Sequence, residues 1–353
     1  MTESGEPDDG QEGGGESLLT VLVALGANFG IFVLKLVAGL LSGSASMMSE
    51  AAHSLADTTT EGLLLTALRR SERAADRRHP FGYGKERYFW SLIAAVSIFV
   101  SGAAFSAYEG VRTMIEGEAE ATLPWVNYVV LAVSFVLESI SFSQAVRQVR
   151  AEAQHDGVSI ARWLRNTDDP TVKTVFFEDS AALIGLVLAF AGIGLHQLTG
   201  SAVWDGLASV LIAVLLALVA YVLGRTNKGL LVGQQADLAT MYRLRDALAA
   251  RPEVEAVVDL LTMMVGTDRI LLCVRLDFDD ALDAASLERA CSAIDAQMRE
   301  DFPELFDVYL EPVPRTDPTV RRRVLERYGP GAPERLRYGL EEAERLGHGL
   351  PPD

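Results

Sequence analysis

The chain is 353 residues long and 49% hydrophobic, yet 22% of its residues are charged and its net charge is −17. A positive mean hydropathy excludes an ordinary soluble globular protein, so the charges must be segregated from long apolar stretches. The excess of acidic over basic residues, 48 against 31, argues against a nucleic-acid-binding surface.

Residues 1–16 are acidic and Gly-rich and contain no Lys or Arg. They predict a disordered tail and lack the basic start of a secretory or transit peptide. Six apolar stretches follow, each near the ~20 residues that a helix needs to cross a bilayer core. They are Leu18–Leu41, Ser46–Leu68, Tyr88–Arg112, Pro124–Arg147, Thr174–Gln197 and Ala202–Gly224. They predict a polytopic α-helical membrane protein with six transmembrane helices within residues 17–233.

The second span carries ionisable residues where they are costly, since a charge at the bilayer centre is disfavoured by about 2.5 kcal/mol or more. Glu50, His53, Asp57 and Glu61 follow spacings of three, four and four, which stacks them on one helix face. A neutral imidazole beside a carboxylate is both a divalent-metal ligand pair and a proton carrier. A polar seam bonded to a neighbouring helix is the competing reading. Asn28 and Lys35 in the first span, Glu109 in the third and Glu138 in the fourth either line a water-filled path or satisfy neighbouring helices, and Glu138 is the best placed as an extra ligand or proton carrier.

Basic residues stay on the cytoplasmic side of a membrane. The 2–3 connection holds Arg69, Arg70, Arg73, Arg77, Arg78, Lys85 and Arg87, and the 4–5 connection holds Arg147, Arg150, Arg162, Arg165 and Lys173. The 1–2 and 5–6 connections carry no basic residue, and the 3–4 connection carries Glu116, Glu118 and Glu120. The expected topology is a multi-pass cell-membrane protein with both termini cytoplasmic.

From about Thr226 the pattern changes to helix (Met241–Ala250), strand (Val254–Val265), strand (Arg269–Phe278), helix (Ala285–Arg299) and strand (Phe306–Pro312), with Gly266-Thr267-Asp268 as a hairpin turn. This predicts a cytoplasmic ferredoxin-like α/β domain over residues 234–315 and a polar C-terminal tail over 316–353. Cys273 and Cys291 both fall in that domain and read as small core residues. His155, His196 and His348 fall in connections or tails and read as solvated.

Ser42-Gly43-Ser44-Ala45-Ser46 leads into Glu50-Ala51-Ala52-His53-Ser54-Leu55-Ala56-Asp57, and His79-Pro80-Phe81-Gly82-Tyr83-Gly84-Lys85-Glu86 follows at the next connection. With six spans and a ferredoxin-like tail, this combination resembles the cation diffusion facilitator family of divalent-metal/proton antiporters over roughly Leu19–Val313. The stretch Asp169-Pro170-Thr171-Val172 into Phe176-Phe177-Glu178-Asp179 is similar to its divergent mitochondrial zinc-transporter branch and bacterial relatives.

The resemblance implies a metal held mid-membrane between the second and fifth spans. His53 and Asp57 take the ligand roles on the second. On the fifth, Asp179 stands at the family aspartate, but the position four before it is Val175, which cannot bind metal, and Glu178 is the substitute by chemistry. At the cytoplasmic accessory site Asp76 and His79 are present, but Tyr83 stands where the next ligand is expected, and no histidine lies between Thr226 and Pro314 for the family's tail-domain zinc site. The implied function is export of a divalent transition metal, Zn²⁺ first and Mn²⁺ or Fe²⁺ next, in exchange for protons, by a homodimer with no resident cofactor. The alternative is a non-transporting scaffold or metal sensor with a vestigial site. No nucleophile-and-base pair or nucleotide loop points to an enzyme.

Overall fold

The computed structural model describes residues 12–117, 124–155, 157–167 and 169–328. Residues 1–11 of the acidic tail, Glu118 and Glu120 of the 3–4 connection, and residues 329–353 with His348 lie outside the described residues. The chain forms two compact units, residues 1–229 and 230–353.

The first unit is helical: α1 (Glu12–Ser42), α2 (Ala45–Ser71), α3 (Glu86–Ser97), a π-helical segment (Ile98–Ala104), α4 (Phe105–Glu116), α5 (Pro124–His155), α6 (Ile160–Asn166), α7 (Pro170–Thr199) and α8 (Val203–Val232). Each apolar stretch read from the sequence lies in a helix, and α3, the π-helical segment and α4 together make the third. Residues 12–16, read as tail, belong to α1. The short α6 in the 4–5 connection was not anticipated from the sequence.

Four helices among the described residues are long and apolar enough to cross a membrane: Glu86–Glu116, Trp125–His155, Pro170–Thr199 and Val203–Val232. In α1 only Asn28–Ser42 registers, as a shorter apolar helix, and α2 is diluted by its own ionisable stripe. Phe29, Leu40, Phe99, Val136, Val187, Phe190 and Leu218 point outward, as apolar side chains facing lipid do, while Met47, Ile98, Leu186, Ile212, Leu216 and Leu223 pack inside.

Helix α2 packs against α1, α3, α4 and α7. Its buried positions are mostly small (Ala45, Ser46, Ser49, Ala51, Ala52, Ala56, Thr60, Ala67), which lets neighbouring backbones approach closely. The turn into it needs a left-handed residue, supplied by Gly43 at φ 71°. Ser44 then caps the helix by accepting from the Met47 N–H at 3.2 Å.

The second unit follows the order α9 (Leu238–Ala249), β1 (Val254–Gly266), β2 (Arg269–Phe278), α10 (Ala284–Asp301), β3 (Leu305–Pro312) and α11 (Pro318–Tyr328). Strands β1 and β2 form an antiparallel hairpin in which Gly266 pairs with Arg269, and Asp268 takes the left-handed conformation at φ 52°. Strand β3 pairs parallel with β2, a connection that requires the α10 crossover. The three-stranded sheet has one strand fewer than the βαββαβ ferredoxin-like arrangement. Asp237 and Asp283 cap α9 and α10, and Leu244, Leu248, Leu260, Leu272, Ile294 and Met298 are buried in the unit.

Candidate metal centre

The α2 stripe faces inward: Glu50 and His53 are buried, and Asp57 and Glu61 are partly buried. One turn apart, His53 Nδ1 and Asp57 Oδ1 approach to 3.4 Å. Neither imidazole nitrogen has a hydrogen-bond partner, and neither does Asp57 Oδ1. Buried polar atoms are ordinarily paired, and leaving one unpaired costs about 1–3 kcal/mol.

Helix α7 is the facing element. A Cβ at Gly185 would collide with Glu50 Oε1, and lower down Glu178 is the foremost charge acting on Asp57, followed by Glu138, Lys35 and Asp179. Residue numbers rise along α2 as they fall along α7 at these two levels, so the helices run antiparallel and Asp57 and Glu178 share a depth. Glu178 is buried with Oε1 unpartnered, and it lies beside the Thr60 hydroxyl. Asp179 turns elsewhere: its Oδ2 accepts a hydrogen bond from Ser141 of α5 at 2.8 Å. Val175 lines a pocket with Arg87, Ala145, Gln148 and Asp169. Among the described residues, no three His, Cys, Asp or Glu side chains are gathered tightly enough to close round an ion.

Lys35, Asn28 and Glu109, the polar residues of the first and third spans singled out above, find partners. Lys35 Nζ, fully buried, donates to Glu50 Oε2 at 3.0 Å and to Ser54 Oγ at 2.9 Å. Asn28 donates to Glu61, and Glu109 pairs with Arg112 at 3.8 Å. Glu138 is partly buried and acts electrostatically on Asp57, Glu178 and Asp179, which puts it at the edge of the cluster. Lys35 and Glu50 stand out in the sequence but their pairing does not, although a cation and a carboxylate in adjacent spans signal it.

A second network was not foreseen. Asp205 near the start of α8 is fully buried and accepts from Ser44 Oγ at 3.0 Å, from the Ser46 N–H at 3.1 Å and from the Ser46 hydroxyl. It ties the α1–α2 turn to α8.

In the 2–3 connection Asp76 is fully engaged by local donors: the N–H groups of Arg78 and His79 at 2.8 Å each, and the Tyr83 hydroxyl at 2.7 Å. The Tyr83 bond, foremost, and those N–H bonds hold the Asp76 carboxyl down at about 2. His79 packs its ring on Tyr83, with ring centroids 4.3 Å apart, in keeping with a loop-packing residue. In the second unit Cys273 and Cys291 are free and partly buried.

Residues 21–232 match the family described as the cation efflux transmembrane domain. Similar curated proteins include the mitochondrial proton-coupled zinc antiporter SLC30A9 of Xenopus laevis, 36% identical over 73% of this chain and 46% of that protein. Metal tolerance protein C4 of Arabidopsis thaliana is 32% identical over 73% of this chain and 56% of its own. The cation-efflux pump FieF of Shewanella oneidensis is 31% identical over 75% of this chain and 82% of its own. The chain spans about half the length of the first two of these relatives. It belongs to the cation efflux, or cation diffusion facilitator, family as a divergent member, and that family consists of membrane transporters and not enzymes.

Proposed function

We propose that this protein is a secondary transporter that exports a divalent transition-metal ion from the cytoplasm in exchange for protons. The observation that carries the reading is the buried His53 imidazole, with neither nitrogen hydrogen-bonded, beside the partly buried Asp57 carboxylate on α2, facing the buried Glu178 of α7 inside an apolar bundle. Ionisable groups are costly there and by default mark an ion pathway. His53, Asp57 and Glu178 form the site with Asp179 at its edge, and Zn²⁺ is the preferred substrate, because one imidazole with carboxylates suits a tetrahedral zinc ion. Mn²⁺ and Fe²⁺ follow, favoured by the oxygen-rich donor set. The relatives named as a zinc antiporter and as a cation-efflux pump support the same class.

Ligands must be deprotonated to bind metal. Binding from the cytoplasm therefore expels protons from His53 and a carboxylate, and reprotonation from the far side releases the ion. The open spacing of the site implies that α2 and α7 close on the metal and part again as access alternates. The reading includes six spans in the cell membrane, both termini and a ferredoxin-like domain on the cytoplasmic side, and a homodimer.

The test is metal-dependent proton flux in proteoliposomes across Zn²⁺, Mn²⁺, Fe²⁺, Co²⁺ and Cd²⁺. His53→Ala and Asp57→Ala are expected to abolish flux that the unaltered protein supports with one or two metals. No flux with any metal from folded protein would favour a scaffold or sensor with a vestigial site.

A further inference from the structure

We propose that the fifth span presents its metal-binding face one residue earlier than the family pattern implies: Glu178, oriented by the hydroxyls of Thr174 and Thr60, meets His53 and Asp57, while Asp179 braces α7 against α5. The proposal rests on the transport reading above and assigns the parts within that site.

The face of α7 decides this. Its buried positions Thr174, Glu178, Ala181 and Gly185 recur at spacings of four, three and four, which is one helix face. That face looks at α2, since Gly185 abuts Glu50 and Glu178 lies beside Thr60. Val175 and Asp179 are likewise four apart, but their face turns about 100° away. Val175 lines a pocket with Ala145 and Gln148 of α5, and Asp179 accepts from Ser141 of the same helix. The valine at 175 therefore removes nothing from the α2-facing site.

A second observation is independent of helix phase. Thr60 Oγ1, Thr174 Oγ1 and Glu178 Oε1 are buried without hydrogen-bond partners, as are both nitrogens of His53. The four side chains are each more than nine-tenths buried, at 0%, 1%, 6% and 1% exposure in that order. Asp179 Oδ2, by contrast, already has its partner. Buried donors and acceptors are ordinarily paired, and these five atoms lie on the facing stripes of two helices. When α2 and α7 close on an ion, the Thr60 and Thr174 hydroxyls can donate to the Glu178 carboxylate and fix its lone pairs toward the metal, the part that outer-shell hydrogen bonds play around other metal ligands.

The experiment uses full-length protein in proteoliposomes, with Zn²⁺- and Cd²⁺-dependent proton flux resolved into KM and kcat. Glu178→Gln should abolish flux, as Asp57→Asn should. Asp179→Asn should lower kcat or thermal stability without moving KM for Zn²⁺. Thr174→Val should raise that KM about 10- to 100-fold, and Thr174→Ser should restore it. Thr174→His, which places an imidazole four residues before Glu178, should lower KM, whereas Val175→His should leave it unchanged.

Flux surviving in Glu178→Gln but not in Asp179→Asn would overturn the proposal, as would a lowered KM in Val175→His and not in Thr174→His. An unchanged KM in Thr174→Val would remove the hydroxyl's part in it. If both carboxylate variants are inactive, the histidine pair decides by the same criterion. Unaltered flux in His53→Ala and Asp57→Asn would instead strike down the α2 site, and no flux with any metal from folded, unaltered protein would strike down the transport reading itself.

Discussion

Lys35 is a cation with no exposed surface, held by Glu50 and Ser54, and it is the one ammonium acting on Asp57 among several carboxylates. Breaking a buried ion pair by deleting one partner leaves an uncompensated charge and costs about 3–5 kcal/mol. Lys35→Met should therefore lower the unfolding temperature in detergent sharply, and Lys35→Met with Glu50→Gln should recover most of the loss. A double variant no more stable than the single would mean that the pair does not hold α1 to α2. At this scale the sequence showed which residues are chemically unusual, because ionisable groups in an apolar run stand out. It did not show their partners. Glu178 and Asp179 are adjacent letters of equal chemistry, and only the packing of α7 turns one toward α2 and the other toward Ser141 of α5.

Between elements, the placement of α2 depends on Asp205, whose carboxylate gathers the Ser44 and Ser46 donors of the α1–α2 turn. Ser49 and Ser209 share a further hydrogen bond along the same α2–α8 seam, and Ser209 also donates to the Ser106 carbonyl at 2.7 Å. Asp205→Ala would orphan several buried donors at about 1–3 kcal/mol each. It is expected to destabilise the bundle and to speed hydrogen exchange of the backbone amides at 43–47. Unchanged exchange there would show that Gly43 and the Ser44 cap hold the turn unaided. The helices themselves were legible from apolar run length, and the strands of the second unit from their turn residues. The π-helical segment Ile98–Ala104 and the short α6 were not, since neither interrupts the local pattern.

For the whole molecule, the division into an apolar helical unit and a small α/β unit separates two kinds of chemistry. The second unit has its own core and, among its described residues, no histidine and only partly buried free thiols. A fragment of residues 230–328 is expected to fold alone, with a Tm that neither Zn²⁺ nor a chelator shifts. A zinc-dependent rise in Tm would place a metal site there. The sequence by itself determined that the chain is a bundle of apolar helices followed by a small α/β unit and that its second and fifth apolar helices carry the unusual ionisable residues. Composition and periodicity are local properties that burial and bilayer solvation act on directly. Only the tertiary structure decided that Lys35 neutralises Glu50, that Asp205 pins the α1–α2 turn, and that Glu178 rather than Asp179 shares a depth and a face with Asp57. Those pairings depend on the rotation and height of one helix against another, and small residues such as Gly110 and Gly206 help set both by how closely they let backbones approach.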